Sequence, residues 1–387
     1  MKKALWLSLA MAAAFAASGA SIASAQVKLG VAGPITGGSA AFGAQLKNGV
    51  EQAVADINKD GGILGQQISV SVGDDRADPK EGVSVANKFV GDGVKFVVGH
   101  FNSGVTIPAS LVYAENGMLA ITPAATNPCV TDRKLGPCGD DKRTHANLLM
   151  FRTCGRDDQQ GTVAGAYIAK NFAGKKIAII HDKTTYGLGL ATETRKAMAA
   201  KGIKEVMFEG VNKDDKDFGA IVSKTKQTGA DLIYWGGLHD TGGLLLRQMR
   251  DRGVKAPLMG GDGITSDEFA VIAGPGAEGT LMTYGPDPRK RPEAKAVVER
   301  FRAKNFEPES YTLYAYAAVE ILKQAAEAEK SLDAKKVAQR IYSGMKFKTV
   351  IGELSYDKKG DVTRLDYTMY VWKKDASGKI TYTELEQ

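Results

Sequence analysis

Short apolar runs alternate along the chain with longer stretches in which apolar positions recur every three or four residues. The first run, residues 27–32, predicts a strand that enters the glycine-rich turn Gly33-Pro34-Ile35-Thr36-Gly37-Gly38. Leu46, Val50, Ala53, Val54 and Ile57 then share one helical face, and Asn58-Lys59-Asp60-Gly61-Gly62 stops that helix. The same rhythm predicts strands at 68–72, 94–98 and 118–122, with helices at 83–90 and 106–116 between them. It restarts with strands at 177–180, 205–208, 231–235 and 257–260, separated by helices at 190–201, 218–227 and 243–251. Two such series imply an α/β protein with two parallel sheets flanked by helices. The last third differs: helices at 292–304, 310–329 and 333–342 precede antiparallel-looking strands at 352–356 and 365–372.

A chain of 387 residues has room for two domains of ordinary size. Its 43% hydrophobic and 25% charged content excludes wholesale disorder, and 45 glycines suit many tight strand-to-helix turns. The net charge of +7 is spread along the helices, with Arg289-Lys290-Arg291 its densest short run. A nucleic-acid-binding protein would show a broader basic stripe with stacking aromatics, so no nucleic-acid partner is expected.

Met1-Lys2-Lys3, the apolar stretch 4–17 and the small residues ending in Ala23-Ser24-Ala25 read as a secretory signal peptide over 1–25, cleaved before Gln26. The apolar stretch is too short for a membrane anchor, and no Cys stands at the cleavage site to carry a lipid. A soluble monomer in the periplasm is expected. Export lets thiols pair. Cys129 and Cys138 bracket a Pro-, Gly- and charge-rich stretch, and a disulfide between them is the favoured pairing, with Cys154 left as a small buried residue. Pairing of Cys154 with either of the others stays open.

Open parallel sheets bind ligands beyond the carboxyl ends of their strands. There the chain offers Thr36-Gly37-Gly38, Asn102-Ser103-Gly104, Thr122-Pro123-Ala124-Ala125-Thr126, Asp182-Lys183-Thr184-Thr185-Tyr186-Gly187 and Gly260-Gly261-Asp262-Gly263. This is a polar recognition surface rather than a reactive centre. The turn at 33–39 lacks the G-K-[ST] ending of a phosphate loop. Gly187-Leu188-Gly189 lacks the third glycine of a dinucleotide fingerprint, and Phe101 replaces the first glycine of a G-x-S-x-G elbow. His100, His145, His181 and His239 have no metal-ligand spacing. No metal, cofactor or enzymatic activity is expected. The contrary reading is a hydrolase with Ser103 as nucleophile and His100 or His181 as base.

Three strings carry a resemblance: Glu51-Gln52-Ala53-Val54-Ala55-Asp56-Ile57-Asn58 with Gly61-Gly62, Ile121-Thr122-Pro123-Ala124-Ala125-Thr126, and His181-Asp182-Lys183-Thr184-Thr185-Tyr186-Gly187. In that order they resemble the periplasmic Leu/Ile/Val-binding proteins, the receptor components of branched-chain amino-acid ABC transporters. The resemblance spans essentially the whole mature chain. It implies the type I periplasmic-binding-protein fold, two doubly wound parallel-sheet lobes joined by a three-strand hinge. Lobe 1 would take 27–156 and 285–362; lobe 2 would take 157–284 and 363–387. The implied function is capture of a free aliphatic amino acid by lobe closure and its delivery to a membrane permease. The alternative keeps the scaffold and binds an amide or a polar or aromatic amino acid.

The resemblance places Ser103 on the ligand carboxylate, where the start of a helix favours an anion; the bland alternative is an ordinary N-cap serine. Ala124 and Thr126 would meet the ligand's ammonium through carbonyl and hydroxyl, with the Thr126 N–H available to the carboxylate. Asp262, between two glycines, would be the acidic partner of the ammonium. Tyr186 and Tyr311 would cover the ligand side chain from opposite lobes. Phe42 stands where relatives carry Tyr or Trp, and Leu238 where one relative has a Tyr whose hydroxyl helps after closure; Trp235 could compensate by size. The loop 129–143 is longer than in close relatives.

Overall fold

The computed structural model describes residues 26–132, 149–364 and 367–385. Five parallel strands form the first sheet: β1 (Val27–Gly33), β2 (Ile68–Asp74), β3 (Phe96–Val98), β4 (Leu119–Thr122) and β5 (Met150–Arg152), in the order β2-β1-β3-β4-β5. Val31 in β1 stands level with Val72 on one side and Val98 on the other. β3, β4 and β5 are buried throughout, as strands covered on both faces must be. Helices α1 (Ala40–Lys59), α2 (Pro79–Gly91) and α3 (Ser103–Glu115) connect the strands.

Next come α4 (Asp157–Asn171), β6 (Ile177–His181), α5 (Thr185–Ala199), β7 (Met207–Gly210), α6 (Gly219–Thr228), β8 (Leu232–Gly236), α7 (His239–Asp251), β9 (Leu258–Gly260), α8 (Glu268–Ala273) and β10 (Leu281–Tyr284). Beyond them lie α9 (Lys295–Arg302), α10 (Ser310–Glu329), α11 (Ala334–Tyr342), the small hairpin β11 (Phe347–Thr349) and β12 (Gly352–Leu354), then β13 (Thr368–Lys374) and β14 (Ile380–Glu384). The second sheet has the order β14-β13-β10-β9-β8-β6-β7. Its five strands from β6 to β10 pair in parallel, and β13 and β14 close the edge antiparallel. This is the expected type I periplasmic-binding architecture, two lobes each organised around a mostly parallel sheet.

Helix α10 packs against α1. Gly49 makes this possible, since a Cβ there would collide with the Thr312 carbonyl. Asn58 ends α1 by bracketing Ile68: its amide oxygen accepts from the Ile68 N–H at 2.7 Å and its amide N–H donates to the Ile68 carbonyl at 2.9 Å. Asp56 accepts from Tyr316 of α10 at 2.8 Å and pairs with Arg300 of α9 at 3.0 Å. The string 51–58 is thus a fastener joining α1, β2 and the helices of the last third.

β5 and α4 have no counterpart in the apolar pattern. β5 is three residues long. α4 opens on Asp157-Asp158-Gln159-Gln160 and carries Gly161 and Gly165 on the face that meets α5, where a Cβ would come within 2.6 Å of the Glu193 and Ala197 atoms. β10 and β14 are likewise additional to the predicted strands. Cys138 lies outside the described residues, and with it the other half of the Cys129 pairing. Cys154 is a free, buried thiol. No helix among the described residues is long and apolar enough to cross a membrane.

Candidate functional site

Each sheet reverses its strand order beside its first strand. β1 pairs with both β2 and β3, and β6 with both β7 and β8. A crevice opens beyond the carboxyl ends at such a point, and the two crevices meet. Phe42 after β1 lies edge-on to His239 after β8, with ring centroids 4.8 Å apart. Asn127 after β4 donates its side-chain N–H to the Thr185 carbonyl at the start of α5, at 3.0 Å.

On the first-sheet side, Ser103, Ala124 and Thr126 come together. Ser103 is the first residue of α3, and its hydroxyl accepts from the Asn127 N–H at 3.2 Å. The N-cap position belongs to Asn102, so the ordinary-cap reading of Ser103 does not hold. The Thr122 hydroxyl builds the turn that presents Ala124, accepting from the Ala125 N–H at 2.9 Å while donating to the His100 carbonyl at 2.6 Å. Buried Arg152 clamps the same loop, donating to the Ala125 carbonyl at 2.8 Å and to the Thr131 hydroxyl at 2.6 Å. Thr126 is fully buried, and its hydroxyl has no partner of good hydrogen-bond geometry.

On the second-sheet side, Asp262 follows β9 and is buried. Its Oδ1 accepts from Gln160 Nε2 and from the Tyr186 hydroxyl, both at 2.9 Å; its Oδ2 accepts from the Tyr311 hydroxyl at 2.9 Å. Gln160 also accepts from the Asp262 N–H at 3.1 Å and from the Thr283 hydroxyl at 2.9 Å, which fixes its amide orientation. The flanking glycines are required here. A Cβ on Gly261 would stand 2.5 Å from Leu190, and one on Gly263 would stand 2.6 Å from the Gly237 carbonyl.

Burial pushes the Asp262 carboxyl above its ordinary range, against the pull of those three hydrogen bonds. Asp157 is raised further, by burial and then by repulsion from Asp262. Two carboxyl groups removed from water, with neutral donors around one and none on the other, make a place where a cation is favoured. An ammonium supplies that charge together with N–H donors.

An aromatic wall completes the site. Phe42 stacks on Phe101 at 4.3 Å and meets Tyr311 edge-on at 5.6 Å. Phe101 also meets Tyr311 edge-on, at 5.1 Å. Leu238 is half-buried at the N-cap of α7. Trp235 is fully buried and donates its indole N–H to the Leu238 carbonyl at 3.2 Å, so it is core and does not replace a lost hydroxyl. Behind Asp262 and Tyr311, Cys154, Gly285 and Tyr367 help to enclose a cavity of about 10 Å³, enough for one water.

Sequence reasoning missed Phe101, Gln160, Asp157 and His239. Phe101 was legible through its place two residues before Ser103, while Gln160 and Asp157 sit on the overlooked α4. Tyr186 and Tyr311 are more than covers: both hydroxyls are committed to Asp262. His100 spends its two ring nitrogens on Asp75 at 2.7 Å and Tyr113 at 2.8 Å, and His181 accepts from the Lys183 N–H at 3.1 Å. Neither is bonded to Ser103.

Tyr311 lies on α10, which packs against α1, so its bond to Asp262 ties the two halves of the site. Tyr311→Phe is expected to weaken ligand binding ten- to hundredfold, because hydrogen bonds to charged groups contribute roughly 1.5–3 kcal/mol. Titration calorimetry on the variant measures this; an unchanged affinity would show the hydroxyl to be idle.

A family model described as periplasmic binding protein matches residues 26–379. The chain is 53% identical over 384 residues to Leu/Ile/Val-binding protein homolog 1 of Brucella suis biovar 1, covering 99% of this chain and 100% of that one. Among solved structures, the leucine binding protein LivK of Thermotoga maritima superposes with a TM-score of 0.82 at 26% identity, covering 92% of this chain and 97% of that one. The branched-chain amino acid transporter substrate binding protein LivJ of Streptococcus pneumoniae, in complex with isoleucine, gives a TM-score of 0.80 at 26% identity, covering 93% of this chain and 100% of that one.

Proposed function

The chain belongs to the periplasmic binding protein family, and we propose that it is a receptor for a free aliphatic, branched-chain L-amino acid, which it hands to an ABC transporter permease. In this reading residues 1–25 direct export and the mature protein works in the periplasm as a monomer. Residues 27–156 with 285–362 form the lobe that engages the ligand first, and 157–284 with 363–387 the lobe that closes over it. Ser103 and the N-terminal N–H groups of α3 take the ligand carboxylate, as helix starts favour anions. The Ala124 carbonyl, the Thr126 hydroxyl and Asp262 take the ammonium. Phe42, Tyr186, Tyr311 and Leu238 surround the side chain.

The observation that carries the proposal is Asp262. It is a buried carboxylate at the meeting of the two sheets, held by Gln160, Tyr186 and Tyr311 and provided with no cation by any of them. Charge-assisted hydrogen bonds are strong where water is excluded, so an ammonium ligand gains most when both lobes surround it. Closure follows from that difference, since a ligand shifts a conformational equilibrium only by its better contacts in one state.

A thermal-shift screen of all free amino acids, run on refolded protein to remove carried-over ligand, tests the reading. Leucine, isoleucine or valine is expected to give the largest rise, and N-acetylated forms of the same amino acids none. A rise with the acetylated forms equal to that with the free ones would show that no ammonium is recognised.

A further inference from the structure

We propose that Asp157 is a positioning residue for the bound ammonium: it accepts a hydrogen bond from the Thr126 hydroxyl, so that the hydroxyl's lone pairs face the ligand, and adds a second negative charge to the site. This rests on the amino-acid-receptor reading above. Asp157 opens α4, and its N–H donates to the Thr126 carbonyl at 3.0 Å, which locks the two backbones together. Both side chains are fully buried. Neither carboxylate oxygen of Asp157 and not the Thr126 hydroxyl has a partner of good hydrogen-bond geometry. The hydroxyl nevertheless lies close enough to pull the acid's pKa down.

The chemistry of the three groups fixes their polarity. An ammonium only donates, an ionised carboxylate only accepts, and a hydroxyl does both. For Thr126 to accept from a ligand ammonium its own proton must point elsewhere, and Asp157 is the acceptor beside it. Around Asp157, Asp262 and Asp158 are acids, and Tyr186, Tyr234, Tyr367 and Cys154 are neutral. The Arg152 guanidinium is engaged by Asp361, Ala125 and Thr131. The start of α4 eases the charge on Asp157, but the acid keeps its unmet acceptor capacity. Burial raises both acids, with mutual repulsion adding to Asp157, and an ammonium beside them favours their ionised forms, so binding is coupled to proton release. Affinity therefore rises with pH as the acids ionise.

Titration calorimetry with leucine from pH 5 to 8, in buffers of different ionisation enthalpy, tests the assignment on wild-type protein, Asp157→Asn, Thr126→Val and the double variant. Asp157→Asn is expected to bind ten- to hundredfold more weakly, with a flatter pH slope and less proton release. Its ligand-free form should melt higher at neutral pH, since the penalty for ionising a buried acid is gone. The two single losses should not add in the double variant. Asp157→Ser fits the same space and carries the same expectation if the Asn variant fails to fold. Wild-type binding together with an unchanged affinity and pH slope in the Asp157 variants overturns the assignment and leaves the receptor reading intact. A purely structural role would lower the melting temperature without flattening the pH slope, and also overturns it. Wild-type protein that binds no free amino acid removes the receptor reading, and this assignment with it.

Discussion

Asp262→Ala is expected to lower amino-acid affinity by about 30-fold to several thousandfold, as truncating one partner of a buried, hydrogen-bonded charge pair costs roughly 2–5 kcal/mol. Two losses add up. The ligand's ammonium enters a dry site without its counter-charge, and the hydroxyls of Tyr186 and Tyr311 and the amide of Gln160 lose their shared acceptor. Asp262→Asn separates the two: it keeps an acceptor for part of that ring while removing the charge. Its ligand-free form should be at least as heat-stable as wild type, because a buried carboxylate with neutral donors is a strained guest. Calorimetry and melting curves on both variants are needed. If Asp262→Ala binds within threefold of wild type, the ammonium is held elsewhere and the site must be redrawn.

Much of the frame was legible because period and punctuation agree along most of the chain. The strands and helices up to Thr122 appear where the apolar pattern puts them, to within a few residues. Asp262 was legible through its two glycines, whose close approaches to Leu190 and Gly237 explain why no side chain is tolerated there. What escaped was structure made by contacts rather than by periodicity. Helix α4 hides its packing face in Gly161 and Gly165, which carry no apolar signal yet allow α5 to come close. With α4 went Gln160, the residue that orients Asp262, and Asp157. The recognised motifs also divide in an unexpected way. Asp56 and Asn58 fasten helices and Thr122 shapes a turn, so these residues serve the scaffold, whereas Thr126 and Tyr186 face the meeting of the lobes.

The largest expected effect on stability is that of Arg152→Met. The Arg152 guanidinium is fully buried and pairs with Asp361 at 2.7 Å. It also satisfies the Ala125 carbonyl, which no backbone N–H of that turn reaches, and the Thr131 hydroxyl. Asp361 retains Arg156 at 2.7 Å and Thr131 at 2.6 Å, so the variant keeps one cation but leaves a buried acid half-paired. Breaking such a pair from one side costs about 3–5 kcal/mol, and a melting temperature lowered by several degrees is expected. Within about 2 °C of wild type, the clamp would be dispensable.

The pH dependence gives a sharper signature of the same clamp. Asp361 is held below its ordinary value of 3.8, burial opposing and Arg152 chiefly producing the shift. Its stabilising contribution is therefore fully present above that value and lost as pH falls through the lower folded pKa. The deficit of Arg152→Met should be largest near neutrality and shrink in acid, where Asp361 is protonated in both proteins. Asp157 and Asp262 act in the opposite sense. Their folded pKa values are raised, so their penalty is present above those values and vanishes below the unfolded one. Burial also raises Asp182 to about 6 and Glu309 and Glu320 to about 7, so ligand-free wild type should gain stability as pH falls into mild acid and lose it again below about pH 4, where carboxylates such as Asp361 protonate. Saturating amino acid should reduce the first limb and leave the second, because an ammonium relieves the two acids between the lobes and does nothing for the clamp. Melting curves at pH 7, 5.5 and 3, with and without leucine, decide it. A ligand-free protein whose stability falls steadily from neutrality would mean that the two acids carry no such strain.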